Sequence, residues 1–266
     1  MKYSIITINY NNCNGLRRTI ESVINQTYKD FEYIIIDGGS TDGSVDVIKQ
    51  YADKIDYWVS EPDKGIYNAM NKGILQAHGE YLNFMNSGDC FYDNRRLEVV
   101  SNSRLNADII IGQDYHENLQ TGEKFSSLLP PNINTFFLYV ATFPHQSSFF
   151  KNKLLKNELY DEKLKIVSDW KFYLERVLSN DCIINYISEI ICHRENDGIC
   201  GSQPDLMYKE REIVLSQLLP IGVRNDYENL LQLNRTNVSK LLVITNNKFA
   251  RKFLALCIRI IYRLFK

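Results

Sequence analysis

Residues 81–89 have the sequence Tyr81-Leu-Asn-Phe-Met-Asn-Ser-Gly-Asp89, in which an apolar stretch changes abruptly into a polar turn. The first five residues are apolar or aromatic with one exception, which predicts a short buried strand. The last four bring a carboxylate, Asp89, to a glycine-bearing turn. Ligands of open α/β sheets bind beyond the carboxyl ends of strands, and a carboxylate there can hold a hard divalent cation. Ordinary surface turns use the same residues, so the surrounding sequence must decide.

Two apolar, β-branched runs and a shorter aromatic one precede this stretch, and helical patterns separate them. Strands are predicted at 3–8, 31–36, 56–59 and 81–85, with helices from about 15–24, 46–51 and 66–77 between them. Alternation of this kind predicts a parallel sheet with right-handed crossovers. The first ninety or so residues are therefore expected to form a doubly wound, nucleotide-binding half.

The pattern is less regular after Asp89. It predicts a helix at 97–105, a strand at 107–112, a hairpin turn at Thr121-Gly122, a short helix at 134–140, a strand at 145–150, a helix at 169–178 with Ser168 as N-cap, a strand-like segment at 182–192 and a helix at about 204–219.

Composition limits the classes of function. The chain has 266 residues, 44% hydrophobic residues and a net charge of -1, which predicts a globular fold and argues against a nucleic-acid binder. Its six cysteines form no C-x-x-C pair, so we expect free thiols in a reducing, cytosolic compartment. No apolar run approaches the ~18 residues of a transmembrane helix.

The last 35 residues differ from the rest of the chain. Residues 232–266 contain eight lysines and arginines and no acidic residue, with apolar residues at helical spacing between them. This pattern predicts a basic amphipathic helix on a membrane surface. A helix packed on the protein with a solvated basic face is the alternative.

The loops after the predicted strands carry groups suited to a nucleotide. Asp37, Asp63 and Asp89 each lie beside a glycine-bearing turn, Lys64 suits a phosphate, and Tyr10 offers a ring for stacking on a base. On one sheet these loops would share an edge and reach a single ligand. The chain has neither the G-x-G-x-x-G fingerprint nor a P-loop, which argues against NAD, FAD and Walker-type ATP chemistry.

Five blocks of sequence, taken in order, resemble family 2 glycosyltransferases, which are inverting enzymes of the GT-A fold that use nucleotide-diphosphate sugars. The blocks are Ser4–Asn11, Ser22–Tyr28, Ile36–Gly43, Asp63–Gly73 and Gly79–Asp89. The closest likeness is to bacterial O-antigen and capsule enzymes. The resemblance implies an α/β GT-A fold with a Rossmann-like, mostly parallel central sheet flanked by helices, together with a helical C-terminal extension.

The resemblance also implies roles in a UDP site. Tyr10 would stack on the uracil and Asp37 would bind its edge, although Asp37 could instead be an Asx-turn residue. Asp63 and Lys64 would line the nucleotide site.

A metal site is implied at the end of the opening stretch. Asp89 matches the last acid of the family's Asp-x-Asp motif and would bind Mg²⁺ or Mn²⁺ at the diphosphate. Ser87, also assigned to the nucleotide site, stands where the first acid of that motif is usual, so one carboxylate remains.

The catalytic base falls, by resemblance, at Asp169 within Ser168-Asp169-Trp170. Asp169 would accept the proton of the acceptor hydroxyl; its ordinary alternative is a charge that stabilises a helix N-terminus. His145 could contact phosphate or metal or be a structural histidine, and His193 has the same two interpretations.

These inferences predict a GT-A domain at residues 1–222, with a nucleotide-binding half (1–92) and an acceptor-side half (93–222), followed by a helical extension at 223–266. The predicted activity is transfer of a sugar from a UDP-sugar to a hydroxyl of a glycan, lipid-linked in the favoured reading, during bacterial surface polysaccharide synthesis. We expect the protein on the cytoplasmic face of the inner membrane. A non-catalytic nucleotide- or partner-binding protein of the same fold is the alternative, and a nucleotidyltransferase is disfavoured because the loop after strand 1 is not Gly-rich.

Overall fold

The computed structural model describes residues 1–103, 106–117, 124–126, 129–130, 133–194, 202–235, 252, 255–259 and 263. The chain divides into two compact units, residues 1–214 and 215–266. The predicted domain boundary at residue 222 stays a prediction. Among the described helices, none is long and apolar enough to cross a membrane.

Strands and helices alternate through the first unit. The strands are β1 (Tyr3–Asn9), β2 (Phe31–Asp37), β3 (Tyr57–Ser60), β4 (Tyr81–Phe84), β5 (Cys90–Phe91), β6 (Ile109–Glu117), β7 (Lys124–Ser126), β8 (Ser148–Lys151) and β9 (Ile184–Arg194). The helices are α1 (Cys13–Ile24), α2 (Ser44–Gln50), α3 (Ile66–Gln76), α4 (Arg96–Asn102), α5 (Thr135–Val140), α6 (Asn152–Asn157), α7 (Ser168–Ser179) and α8 (Pro204–Leu218), with 3-10 turns at Ala52–Lys54 and His145–Ser147. The second unit contains α9 (Ile221–Arg235).

One central sheet joins all the described strands in the order β3-β2-β1-β4-β8-β6-β9-β5, with β7 paired to β6. The first four strands are parallel. Strand β8 runs antiparallel to both of its neighbours, and β6 and β9 are parallel to each other. The α/β fold with a mostly parallel sheet, expected from the sequence, is therefore confirmed.

The parallel half is held by strands that are buried on both faces. All seven residues of β1 and all four of β4 are buried, as continuous β-branched and aromatic runs predict for strands covered on both sides. Helix α3 lies very close to β1, because a Cβ on Gly73 would stand 2.5 Å from Ile6 Cγ2. Only glycine permits that approach.

The sequence predictions need three corrections in the second half. The strand predicted at 107–112 begins at Ile109 and continues to Glu117, and the first three residues of the strand predicted at 145–150 form a 3-10 turn instead. Ser168 is not the N-cap of α7. Val167 occupies that position, and the Ser168 hydroxyl accepts a hydrogen bond from the backbone N–H of Asp161 (2.6 Å).

Two predictions fall wholly or largely outside the described residues. They are the hairpin turn at Thr121-Gly122 and the basic amphipathic helix within 232–266.

Candidate active site

The carboxyl ends of β1 to β4, with the loops that follow them, form one edge of the sheet, which we call the carboxyl edge. In register, Asn9 of β1 lies beside Asp37 of β2, and Asp37 lies beside Ser60 of β3. The turn after β4 joins them, because the Ser87 N–H donates to the carbonyl of Ile8 (3.1 Å). The edge thus brings the predicted nucleotide-site loops together.

Asp37 is fully buried and accepts four hydrogen bonds. Its Oδ1 accepts from Asn9 Nδ2 (2.7 Å) and Ser40 Oγ (2.6 Å), and its Oδ2 from the Ser40 N–H (2.9 Å) and Ser60 Oγ (2.6 Å). Burial acts to raise the pKa of this carboxyl, but the hydrogen bonds from Ser40, Ser60 and Asn9 outweigh it and lower the pKa. A carboxylate offers about four acceptor positions, so a base edge could bind here only if one hydroxyl turned away.

Tyr10 and Asp63 face each other across Gly38. A Cβ on Gly38 would stand 3.1 Å from Asp63 Oδ2 and 3.2 Å from Tyr10 Cδ2. Tyr10 is 68% exposed, as a platform for a planar base requires. Asp63 is held by Lys72 Nζ at 2.6 Å.

Lys64 lies exposed in the loop before α3. Its backbone N–H donates to Asn68 Oδ1 (3.2 Å), which ties the loop to the first turn of α3.

The turn from Asn86 to Asp89 is built around Gly88, whose φ of +106° favours glycine. The Asp89 N–H donates to the carbonyl of Asn86 (2.9 Å), and Thr19 Oγ1 donates to the carbonyl of Asp89 (2.7 Å). The Ser87 hydroxyl donates to a backbone carbonyl, that of Asn12 (3.3 Å). The turn is therefore fixed by the main chain and by α1.

The Asp89 side chain is buried, and Gln146 Nε2 donates to its Oδ2 (2.9 Å). Burial raises the pKa of this carboxyl from 3.8 to about 6, against the lowering effects of Gln146, His145 and Arg194. Within the described residues, no group of three or more His, Cys, Asp or Glu side chains could by itself hold a metal ion.

Asp169 lies in the first turn of α7 and is 14% exposed. His145 Nδ1 lies 2.9 Å from its Oδ2, and Tyr67 Oη lies 2.7 Å from its Oδ1. Burial acts to raise the pKa of Asp169, but the hydrogen bonds and charge of these partners, His145 first, lower it below its ordinary value. The carboxylate is therefore held in its ionised, proton-accepting form.

His145 joins the base candidate to the turn after β4. Because a carboxylate only accepts, His145 Nδ1 carries a proton and donates it to Asp169, while Nε2 lies 3.1 Å from Asn86 Nδ2. The next residue, Gln146, bonds Asp89. Consecutive residues of one 3-10 turn thus contact the two carboxylates, Asp169 and Asp89. The sequence had suggested that His145 contacts phosphate or metal or is structural, and neither interpretation included a contact with Asp169.

The polar exception in the opening stretch explains how that turn is held. Asn83 Nδ2 donates to the carbonyls of Gln146 (2.8 Å) and Ser148 (3.0 Å) from within β4.

His193 pairs with Cys90 across β9 and β5, and its ring packs on Tyr115 at 5.2 Å.

Sequence reasoning missed three residues of the site: Gln146, Tyr67 and the bridging position of His145. Tyr67 follows the loop of Asp63 and Lys64 and contacts Asp169 from α3. The base candidate is therefore reached from the nucleotide-site loop on one side and from the 145–147 turn on the other.

The chain matches Glycosyl transferase family 2 over residues 4–179. It is 33% identical over 226 residues to an uncharacterized glycosyltransferase of Mycobacterium tuberculosis, with 82% of each chain covered. It is 34% identical over 175 residues to the cholesterol galactosyltransferase of Borreliella burgdorferi, which covers 59% of this chain and 49% of that protein.

Solved glycosyltransferases share the fold. Residues 1–349 of S. aureus TarS in complex with UDP-GlcNAc superpose with a TM-score of 0.61 at 19% identity, covering 74% of this chain and 59% of that one. The mannosyltransferase PcManGT from Pyrobaculum calidifontis, in complex with GDP-Man and Mn²⁺, gives a TM-score of 0.57 at 15% identity, with 76% and 59% covered. This chain spans 39% of the longer TarS chain.

Proposed function

Because the chain belongs to glycosyl transferase family 2 and is therefore a transferase enzyme, we propose that it moves a sugar, with inversion, from a UDP-sugar to a hydroxyl of a glycan acceptor. Family membership favours this function over a non-catalytic protein of the same fold. The specific donor, acceptor and pathway belong to the proposal.

One observation carries it: His145 and Gln146 contact Asp169 and Asp89, respectively. Inversion requires a base on the face of the anomeric carbon opposite the departing diphosphate. A carboxylate for the diphosphate end and a carboxylate for the acceptor end, held by neighbouring residues of one turn, suit that requirement.

In the proposed reaction, Asp169 accepts the proton of the acceptor hydroxyl. The acceptor oxygen forms its bond to the anomeric carbon while the bond to the diphosphate oxygen breaks, and UDP leaves with that electron pair. Lys64 offsets the charge that gathers on the diphosphate. Tyr10 and Asp63, which flank Gly38, hold the uridine part of the donor.

The site at Asp89 suits a divalent cation whose remaining ligands come from the substrate. Mg²⁺ typically binds through one or two carboxylates together with substrate phosphates rather than in an all-protein cage. Asp89 is one carboxylate whose burial disfavours its charge, and a cation would favour that charge. Bound there, Mg²⁺ or Mn²⁺ would supply positive charge to the leaving diphosphate.

The donor is proposed as UDP-linked because the TarS complex contains UDP-GlcNAc and the exposed Tyr10 suits stacking on uracil. The PcManGT complex with GDP-Man makes GDP-mannose the competitor to test. The Borreliella relative is named for cholesterol, which supports an acceptor with a lipid part. O-antigen and capsule synthesis remain the proposed pathways.

The test of the function is a screen of UDP-sugars and GDP-mannose for nucleotide release, with and without Mn²⁺ and a glycolipid acceptor. We expect one UDP-sugar to be turned over by the wild type, and Asp169→Asn to lose about 10² to 10⁴-fold in rate while binding UDP unchanged. Equal turnover by both proteins would overturn the base assignment, and nucleotide binding without turnover of any donor would overturn the proposed transfer.

We also propose that residues 232–266 bind the inner face of the bacterial inner membrane, as the single-signed charge and apolar spacing of that segment support. Deletion after Asn234 should move the protein from membrane fractions to the soluble fraction. Unchanged flotation of the truncated protein with vesicles containing phosphatidylglycerol would exclude this role.

A further inference from the structure

The Tyr67 hydroxyl stands between two acceptors. Its oxygen lies 2.6 Å from the carbonyl oxygen of Ile166 and 2.7 Å from Asp169 Oδ1. A phenol has one proton, and a carbonyl and an ionised carboxylate can only accept. Tyr67 can therefore give a full hydrogen bond to one of these oxygens at a time. The contact with the other oxygen contains a hydrogen only if that oxygen is itself protonated.

The two oxygens of Asp169 differ in this respect. Oδ2 faces His145 Nδ1, a ring N–H that Asn86 holds from the opposite side of the imidazole. Oδ1 faces a hydroxyl that can rotate. Among the described residues, Oδ1 alone has a partner that is a donor in one orientation and an acceptor in the other.

The segment that carries the Ile166 carbonyl is fixed in position. The N–H groups of Lys165 and Ile166 donate to Glu210, a buried carboxylate on α8 (2.8 and 2.9 Å). The Tyr67 ring is itself buried. The hydroxyl rotation therefore requires no movement of the backbone.

We infer that Tyr67 is a positioning residue for Asp169, whose hydroxyl points to Asp169 Oδ1 while that carboxylate is ionised and turns to the Ile166 carbonyl once Oδ1 is protonated. This inference rests on the proposed role of Asp169 as base.

The protons balance. When the acceptor hydroxyl gives its proton to Asp169, the new carboxylic O–H can donate to the Tyr67 oxygen, and the Tyr67 proton bonds Ile166. When Asp169 releases its proton to solvent, the Tyr67 hydroxyl returns to Oδ1. Before transfer only the contact between Tyr67 and Asp169 contains a hydrogen, and after transfer each of the two short contacts contains one.

Four side chains face Asp169 in the described part of the structure. They are His145 from the 3-10 turn, Tyr67 from α3, Tyr160 from the loop before α7, and Tyr173 from α7 itself. Because the Tyr67 hydrogen bond favours the ionised form, its removal raises the pKa of Asp169. A base that is protonated at higher pH loses activity first on the acid side.

Tyr67→Phe removes the hydroxyl and keeps the ring, and the chain offers a matched control. The rings of Tyr67 and Tyr160 are 5.5 Å apart, and both are buried. Within the described part of the chain, the Tyr160 hydroxyl has no hydrogen-bond partner. Tyr160→Phe therefore removes an equally buried hydroxyl near Asp169 that does not bond it.

The first measurement needs no substrate. Wild type, Tyr67→Phe and Tyr160→Phe proteins labelled with ¹³C at the aspartate carboxyl are titrated by NMR, and Asp169→Asn identifies the resonance. We expect the Asp169 titration to move to higher pH in Tyr67→Phe and to stay in place in Tyr160→Phe. An unchanged Asp169 titration in Tyr67→Phe, or the same shift in both variants, overturns the inference.

The second measurement is the pH dependence of kcat/KM with the donor found in the screen. Tyr67→Phe should lose about tenfold on the acid side and approach wild type on the alkaline side, whereas a merely structural defect would lower the rate at every pH. A uniform loss overturns the positioning role. If no donor is turned over by the wild type, the proposed function fails, and the NMR titration still decides whether Tyr67 controls the proton of Asp169.

Discussion

Replacement of Asp89 by asparagine tests the electrostatics of the turn after β4. Asparagine has nearly the same shape, and its amide oxygen can still accept the hydrogen bond from Gln146 Nε2. What it removes is the buried charge. In the absence of metal and nucleotide we therefore expect Asp89→Asn to be more stable than wild type at neutral pH.

The size of the effect follows from the pKa. Burial raises the pKa of the Asp89 carboxyl from 3.8 in the unfolded chain to about 6 in the fold, so the folded state prefers the protonated form. Wild type loses stability as pH rises from about 4 through about 6, and the loss is complete above that range. Two pKa units correspond to about 3 kcal/mol, or roughly 6–12 °C in Tm for a chain of this size.

The assay is thermal unfolding at pH 4 and pH 7.5 with EDTA present. The Tm of Asp89→Asn should exceed that of wild type at pH 7.5 and match it at pH 4. Asp53→Asn is the control, because its side chain is 71% exposed and its loss should change stability by less than about 0.5 kcal/mol. Addition of Mn²⁺ and UDP should raise the Tm of wild type by more than that of Asp89→Asn, which keeps the uridine contacts but lacks the carboxylate for the cation. A variant equally destabilised at both pH values would refute the reasoning.

Three further substitutions probe the sheet at its two ends. Gly38→Ala places a methyl group 3.1 Å from Asp63 Oδ2, so UDP affinity measured by calorimetry should fall about tenfold with little change in Tm; unchanged affinity would remove this loop from the nucleotide site. Lys72→Met removes the ion pair that holds Asp63. It should weaken UDP binding by a few-fold and lower stability by at most about 1 kcal/mol. Unaltered UDP binding would show that Asp63 does not need Lys72 to hold it in place. Gly79→Ala drives a Cβ to 2.5 Å from the carbonyl carbon of Tyr3, far from the carboxyl edge, and should lower stability by about 1–3 kcal/mol in urea unfolding while UDP affinity persists; a stable Gly79→Ala protein would contradict the packing described.

The parallel half of the sheet could be predicted because its signals are local. Each of β1, β2 and β4 is a run of buried residues that the sequence shows without knowledge of its neighbours. The meeting of Asp37, Asp63 and Asp89 at one edge then follows from the geometry of parallel strands.

The arrangement around Asp169 could not be predicted, because it depends on contacts between distant residues. Tyr67 and His145 lie 102 and 24 positions from Asp169 in the sequence, and no periodicity records such pairings. Ser168 shows the same limit on a smaller scale. It has the residue type of an N-cap, yet its hydroxyl is used by Asp161, seven residues earlier.

The sequence also could not show that the hydrogen-bond acceptor positions of Asp37 are already occupied. Its residue type and place suggested an open acceptor for a base, and only the folded chain shows Ser40 and Ser60 directed at it. An acid at the end of a strand indicates a polar edge, whereas the availability of that acid depends on what the neighbouring strands bring to it.

The pairing of β4 with the distant strand β8 has a consequence for synthesis of the protein. Strand β4 hydrogen-bonds to β8, which leaves the ribosome much later, so the nascent chain carries an open strand edge in the meantime. All four residues of β4 are buried in the finished fold, and open apolar edges recruit other chains. Fragments that stop between Phe84 and Ser148 should therefore precipitate, whereas shortened versions that retain Lys151 keep this edge closed.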